Sequence, residues 1–371
     1  MSEPSAVAAP VDSTGASPDS TPSAGSPPSP AAYHLRRLRR LRRARFGAVC
    51  LALLLVVLAA LVTALCTGDI ALPPGDVAAT LLGGGDAGTH FVVIELRLPH
   101  ALLGLLVGLC FGLSGAVFQA LLRNPLASPD VIGVGSGAAA AAVLASVVYG
   151  VSGLALSGTA LAGALATAAG IYLLAWRRGV GGQRLVLIGI GVGAGLSSVV
   201  SYLMTRSEVT EAQNAFVWLA GSLNGRSWPQ FWPLLGAAAV LVPLAVAAAR
   251  SLPALQLGDG TAAGLGARVE RDRLGLLGCA TALAGVATAA AGPVGFVAFV
   301  CPPIARRLLP GHGAALLPSA LAGAALVQWA DIAAQHMLPH TQLPVGIVTS
   351  VVGAPYLLWL LARANRVGQG G

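Results

Sequence analysis

Residues 97–137 read RLPHALLGLLVGLCFGLSGAVFQALLRNPLASPDVIGVGSG. After one arginine the segment runs apolar for more than twenty residues, enough to cross a bilayer as a single helix. Gly104, Gly108 and Gly112 recur at every fourth position. They share one helix face and let a neighbouring backbone approach closely. Asn124-Pro125-Leu126-Ala127 and Ser128-Pro129-Asp130 then stop the helix, and a new apolar run follows at once. Irregular backbone at membrane depth survives only where protein or water satisfies its polar groups. The segment thus requires a lipid-spanning helical bundle with a break between two spans. Asn124, Pro125 and Leu126 are the candidate translocation gate, with Asn-Pro as a rigid turn and Leu126 as an apolar plug. The plainer alternative is a tight connecting loop.

Composition narrows the class further. Of 371 residues, 56% are hydrophobic and 10% charged, against about 25% charged in soluble proteins. The fold class is therefore all-α and polytopic. All 22 basic residues are arginine. Without lysine the chain has neither a phosphate-loop lysine nor a Schiff-base nucleophile. The arginines are spread among loops rather than gathered in one patch, which argues against nucleic acid despite the net charge of +8. Cys50, Cys66, Cys110, Cys279 and Cys301 lie in or beside apolar runs and read as packing residues. His336 and His340 are four apart, but Pro339 interrupts them, and no metal or cofactor is expected.

Residues 1–45 form a Pro/Ser/Ala-rich tail ending in a basic run from Arg36 to Arg45. Such composition predicts disorder for the tail. Arg42-Arg43 and the stretch before Cys66 faintly resemble processing signals. Leu65 and the length of the apolar run argue instead for an uncleaved first span. Ten spans are predicted within residues 46–363: 46–65, 97–120, 131–150, 153–175, 185–205, 231–249, 274–291, 293–308, 314–336 and 344–362. Residues 364–371 form a short C-terminal tail. With both ends cytoplasmic, nineteen arginines face inward, and only Arg97, Arg206 and Arg226 face outward. That asymmetry is what the positive-inside rule demands.

Spans two to five and seven to ten enter from opposite faces, each block with an early Gly/Pro break. This is the plan of an inverted repeat. The glycine strings 133–137 and 189–195 lack the pattern of a dinucleotide loop and read as close packing or a smooth pore lining. Leu257, Gly258, Asp259, Gly260, Thr261, Ala262, Ala263, Gly264, Leu265 and Gly266 form a long inner loop with short-helix character, suited to docking a cytoplasmic partner. Asp331 stands late in span nine without a nearby acid or lysine, and a capping or interface role is expected.

Taken in order, Arg97-Leu98-Pro99, residues 113–120, Asn124-Pro125-Leu126-Ala127, Gly133 to Gly137, residues 218–223 and 292–297, Ile304-Ala305-Arg306, Leu316-Leu317-Pro318, Ala330-Asp331, residues 343–349 and Gly353-Ala354-Pro355 resemble the FecCD-type permeases. These are the type II ABC importers of iron–siderophore, haem and cobalamin. The resemblance spans about residues 46–363. It implies a ten-span permease of the bacterial cytoplasmic membrane, paired with a second permease subunit. Two cytoplasmic ATP-binding subunits would hydrolyse ATP, and an extracytoplasmic solute-binding protein would deliver an iron–siderophore complex. By position, Asn124 and Leu126 fall at the inner gate, residues 257–268 at the coupling helices, and Arg97 at the binding-protein docking face. His100 and Gln335 occupy two further docking positions where the family often has arginine, and Gln342 stands for a glutamate. Pro302-Pro303 and Gly311-His312-Gly313 also depart from the pattern. The main alternative within the family is a haem or cobalamin importer. An ion-coupled secondary transporter would need a mid-membrane coupling site, for which Asp331 alone is a poor candidate.

Overall fold

Apolar helices with few caps and many glycines dominate the computed structural model, which describes residues 30–68, 70–130, 132–176, 182–338 and 341–368. The tail 1–29, Arg177, Arg178 and His340 lie outside these residues. The helices are α1 (Pro30–Cys66), α2 (Pro74–Leu81), α3 (Ala87–His90), α4 (Leu98–Leu122), α5 (Val134–Tyr149), α6 (Gly153–Ala175) and α7 (Gly182–Arg206). They continue with α8 (Val209–Leu219), α9 (Trp228–Ala248), α10 (Leu252–Gln256), α11 (Asp259–Gly264) and α12 (Val269–Ala291), then α13 (Val297–Leu308), α14 (Leu316–His336) and α15 (Val345–Gly368). The described residues from Arg45 onward pack as one body.

Among the described residues, seven helical stretches are long and apolar enough to cross a membrane, and Val134–Tyr149 and Val345–Leu360 are shorter apolar helices. The predicted span 293–308 takes a different form. Gly292-Pro293-Val294-Gly295 cannot join a helix, so α13 begins only at Val297 and has 12 residues. That is about 18 Å of helix, roughly half of a hydrocarbon core. Span two is longer than predicted. A π-helical stretch Phe91–Arg97 joins α3 to α4, giving an unbroken run Ala87–Leu122 of 36 residues.

α4 is the central strut. Every residue from Cys110 to Ala120 is buried, as expected of a helix apolar on all sides. The glycine face is used as the spacing demands. A methyl on Gly108 would fall on the Gly323 carbonyl of α14, and one on Gly112 would strike Ser319. One on Gly115 would strike the Ala298 carbonyl of α13. Ser114 Oγ donates to the Ala280 carbonyl at the middle of α12 at 2.6 Å. Phe118 near the end of α4 clusters with Leu276 and Leu277 early in α12, and Leu103 and Val107 early in α4 fall in one cluster with Ala287 and Ala291 late in α12. The two helices therefore run in opposite directions.

Neighbour relations repeat between the two halves. α4 packs on α13 and α14, and α12 packs on α5 and α6. α5 meets α6 and α7, as α13 meets α14 and α15; α6 meets α7, as α14 meets α15. These contacts of one block have counterparts in the other, as the repeat expected from the sequence requires.

Candidate functional site

Three groups of predicted residues were expected to carry function, and they sort to two ends of the bundle. At one end lie Arg123, Arg306 and the loop after α9. At the other lies Arg97.

The break after α4 is built from local hydrogen bonds. Arg123 closes the helix in the left-handed conformation (φ 51°). Asn124 Oδ1 accepts from the Leu126 N–H at 2.8 Å, and the Ala127 N–H donates to the Asn124 carbonyl at 3.1 Å. An Asx turn of this kind satisfies backbone that a helix no longer serves. Pro125 is exposed and Leu126 half-buried, while Ala127, Ser128 and Pro129 are buried. The chain then runs inward to Gly133. A methyl on Gly135 would lie 3.5 Å from Asp130 Oδ1 and 3.8 Å from Pro293. The two Gly/Pro breaks of the two halves thus meet, which is where transporters of this plan gather their irregular backbone. Sequence missed one link beside them. Arg306 donates to Gln119 Oε1, and Gln119 Nε2 donates to the Phe299 carbonyl at 3.0 Å. Arg307 stacks on Trp359, 4.2 Å from the ring centre. Together these contacts tie α4, α13 and α15 next to the break.

The loop of residues 257–266 follows the short helix α10 and holds one further short helix, α11. Leu252, Leu255 and Ala262 are buried in an apolar cluster with Phe118, Ile171, Leu185 and Leu276. Leu257 and Leu265 point outward, 62% and 66% exposed. Arg273 holds the loop through Asp259 Oδ1 at 2.7 Å, and Gln256 Nε2 donates to the Ala120 carbonyl at 3.4 Å. The loop therefore presents two apolar knobs, and α10, which leads into it, rests on the last turns of α4.

At the opposite end the three predicted docking residues line one cavity of about 880 Å³. Arg97 Nη1 donates to the Leu65 carbonyl at 2.8 Å, and Nη2 donates to the Ile70 carbonyl. Its guanidinium thus ties the end of α1 to the π-helical stretch. Hydrogen bonds to charged groups contribute about 1.5–3 kcal/mol, so Arg97→Gln is expected to destabilise the protein by about that much. A denaturant titration of purified protein measures this, and an unchanged midpoint would remove the structural role.

His100 and Gln335 are half-buried and face Asp331. His100 Nε2 lies 2.7 Å from Asp331 Oδ2, and Gln335 Nε2 donates to the same oxygen at 2.8 Å. The Asp331 side chain is 3% exposed. Asp331 therefore does not stand alone. Its partner lies 231 positions away, beyond any local pattern.

The cavity's far wall is the loop between α8 and α9, and the end of α12, the Gly292–Gly295 break and the start of α15 fix it. The Ser222 N–H donates to the Ala291 carbonyl at 2.8 Å, and the Gly346 N–H donates to the Gly221 carbonyl at 3.0 Å. Gly221 (φ +73°) would bring a methyl 2.6 Å from the Pro293 carbonyl. This loop carries Arg226, whose buried Nε has no hydrogen-bond partner. Burial pulls its guanidinium below the ordinary range.

Residues 53–363 match the FecCD transport family. The chain belongs to that family. Among its relatives, the ferric enterobactin transport system permease protein FepG of Escherichia coli K12 is 40% identical over 325 residues, covering 87% of this chain and 98% of the relative. The achromobactin transport system permease protein CbrC of Dickeya dadantii is 41% identical over 322 residues, covering 85% and 91%. A solved structure described as an inward-facing conformation of a metal-chelate type ABC transporter superposes with a TM-score of 0.73. It is 27% identical, with 85% of this chain and 99% of that chain covered. Members of the FecCD family are ABC transporter permease subunits rather than enzymes, and this chain is a multi-pass membrane protein of that type.

Proposed function

We propose that this chain is the membrane-crossing subunit of an ATP-driven importer for an iron–siderophore complex, with both termini cytoplasmic and ten passages of the membrane. A second permease copy or close relative completes the pathway. ATP-binding subunits grip residues 257–266, and a solute-binding protein delivers cargo at the Arg97 end. The observation that carries the proposal is the seating of α10, which is continuous with the 257–266 loop, on the last turns of α4 next to the Asn124–Leu126 break. High identity to ferric enterobactin and achromobactin permeases supports the cargo class.

The stroke follows from this seating. A partner that binds one loop position more tightly than another shifts the conformational balance of everything the loop contacts. Motion of Leu257 and Leu265 passes through Leu252, Leu255 and Ala262 to Phe118 at the end of α4. The break at Asn124, Pro125 and Leu126 and the Arg306–Gln119 link lie immediately beyond. No covalent chemistry is required of this chain.

Uptake by intact cells tests the cargo. Cells lacking the chain are expected to lose uptake of an iron-labelled chelate, and re-expression to restore it. Uptake of labelled cobalamin with no ferric chelate transported would overturn the assignment.

A further inference from the structure

Given that the chain imports a ferric chelate, the cavity at the Arg97 end has a second use. We infer that it is an anion-receiving subsite, built around the Arg226 guanidinium, which takes the carboxylate or phenolate oxygens of the chelate at the mouth of the pathway.

Arg226 carries the inference. Among the described residues its guanidinium makes no hydrogen bond and no ion pair, and its Nε is buried. A half-buried guanidinium whose Nε is buried without a partner is unfavourable, so the arrangement is completed by a ligand that supplies anionic oxygen. The loop that holds Arg226 is pinned at Gly221 and Ser222, so the charge is presented on fixed backbone. The other basic side chains of the cavity wall are already engaged: Arg97 by backbone carbonyls, His100 by Asp331, and the exposed His336 by the Ile332 carbonyl.

Size and lining select the ligand. A cavity of about 880 Å³ falls in the range of small-molecule sites, about 300–1,000 Å³, and far exceeds one carboxylate side chain. The side-chain amides of Asn224 and Gln342 also line it and make no hydrogen bond to another described residue. One cation with neutral amide donors suits a chelate whose oxygens spread its charge. The exposed Glu95 carboxylate lies on the same wall and opposes an anion, which gives the inference a second sign to test.

The permease–ATPase complex, reconstituted without binding protein, is titrated with two probes of similar size. Ferric tris-catecholate is anionic, because three dianionic ligands surround Fe³⁺. Ferric tris-hydroxamate is neutral. Quenching of Trp228, which adjoins the cavity wall at Ser227, reports binding. Arg226→Gln is expected to weaken the anionic probe by about tenfold or more and to leave the neutral probe unchanged. Arg226→Lys keeps the charge and falls between. Glu95→Gln is expected to tighten the anionic probe by up to about fivefold. Equal loss of both probes, or no loss of either, would overturn the subsite. A parallel titration of the same complex with the binding protein closes the test: Arg226→Gln weakening that docking alone would also overturn the subsite, since an acidic side chain of that partner would then be the occupant. Intact uptake by wild-type cells alongside failure of chelate binding rejects the subsite and leaves the import function standing.

Discussion

Replacing residues 258–266 with a Gly/Ser linker of the same length is expected to abolish chelate uptake while the protein still reaches the membrane at its normal level. Folding survives because Ala262 is the only buried residue in that stretch, and loss of one buried alanine is a small fraction of a domain's stability. Coupling does not survive. The linker deletes α11, the Leu265 knob and the Asp259 carboxylate that Arg273 holds at 2.7 Å. A flexible chain also takes up displacement instead of passing it to Leu252 and Leu255. Uptake of labelled iron, with membrane level read by immunoblot, measures both parts. Near-normal uptake would show that the stroke enters elsewhere.

The second large effect lies in the glycine seam. Gly108→Ala and Gly115→Ala are each expected to destabilise the protein by about 1–3 kcal/mol, the range of overpacking in a filled core. The added methyl meets backbone carbonyls of Gly323 and Ala298, which cannot rotate away as a side chain can. Gly191→Ala is the matched control. Nothing lies within 4 Å of a methyl there, and relief of glycine's helix penalty is expected to stabilise it by about 0.5–1 kcal/mol. Unfolding of purified protein under denaturing detergent separates the three. Equal midpoints for Gly108→Ala and Gly191→Ala would refute close packing as the role of the seam.

Much of this architecture was legible because lipid simplifies the code. Long apolar runs, the four-residue glycine spacing from Gly104 to Gly112, and the arginine asymmetry each follow from one rule of bilayer physics. The 257–266 loop also carried its signal, since small residues and glycines between charges favour short surface helices. Other features were opaque for physical reasons. α8 is a half-exposed helix whose polar and apolar residues resemble a connecting loop. The run 293–308 is apolar enough for a span, but Gly292, Pro293 and Gly295 delay its helix until Val297, and Phe296 adopts φ +66° to start it. The Asp331–His100 pair joins α14 to the start of α4 across 231 positions, and no periodicity links residues so far apart. Arg226 registered only as one of three arginines on the sparse side. Its unpartnered state depends on where Gly221 and Gly346 anchor the loop.

The most direct measurement places the purified chain in proteoliposomes with its ATP-binding subunits, supplies the loaded binding protein outside, and follows entry of iron-labelled chelate. Entry is expected only when ATP and the ATP-binding subunits are present on the side of residues 257–266. Chelate accumulation by this chain alone, driven by an ion gradient with no nucleotide, would contradict it.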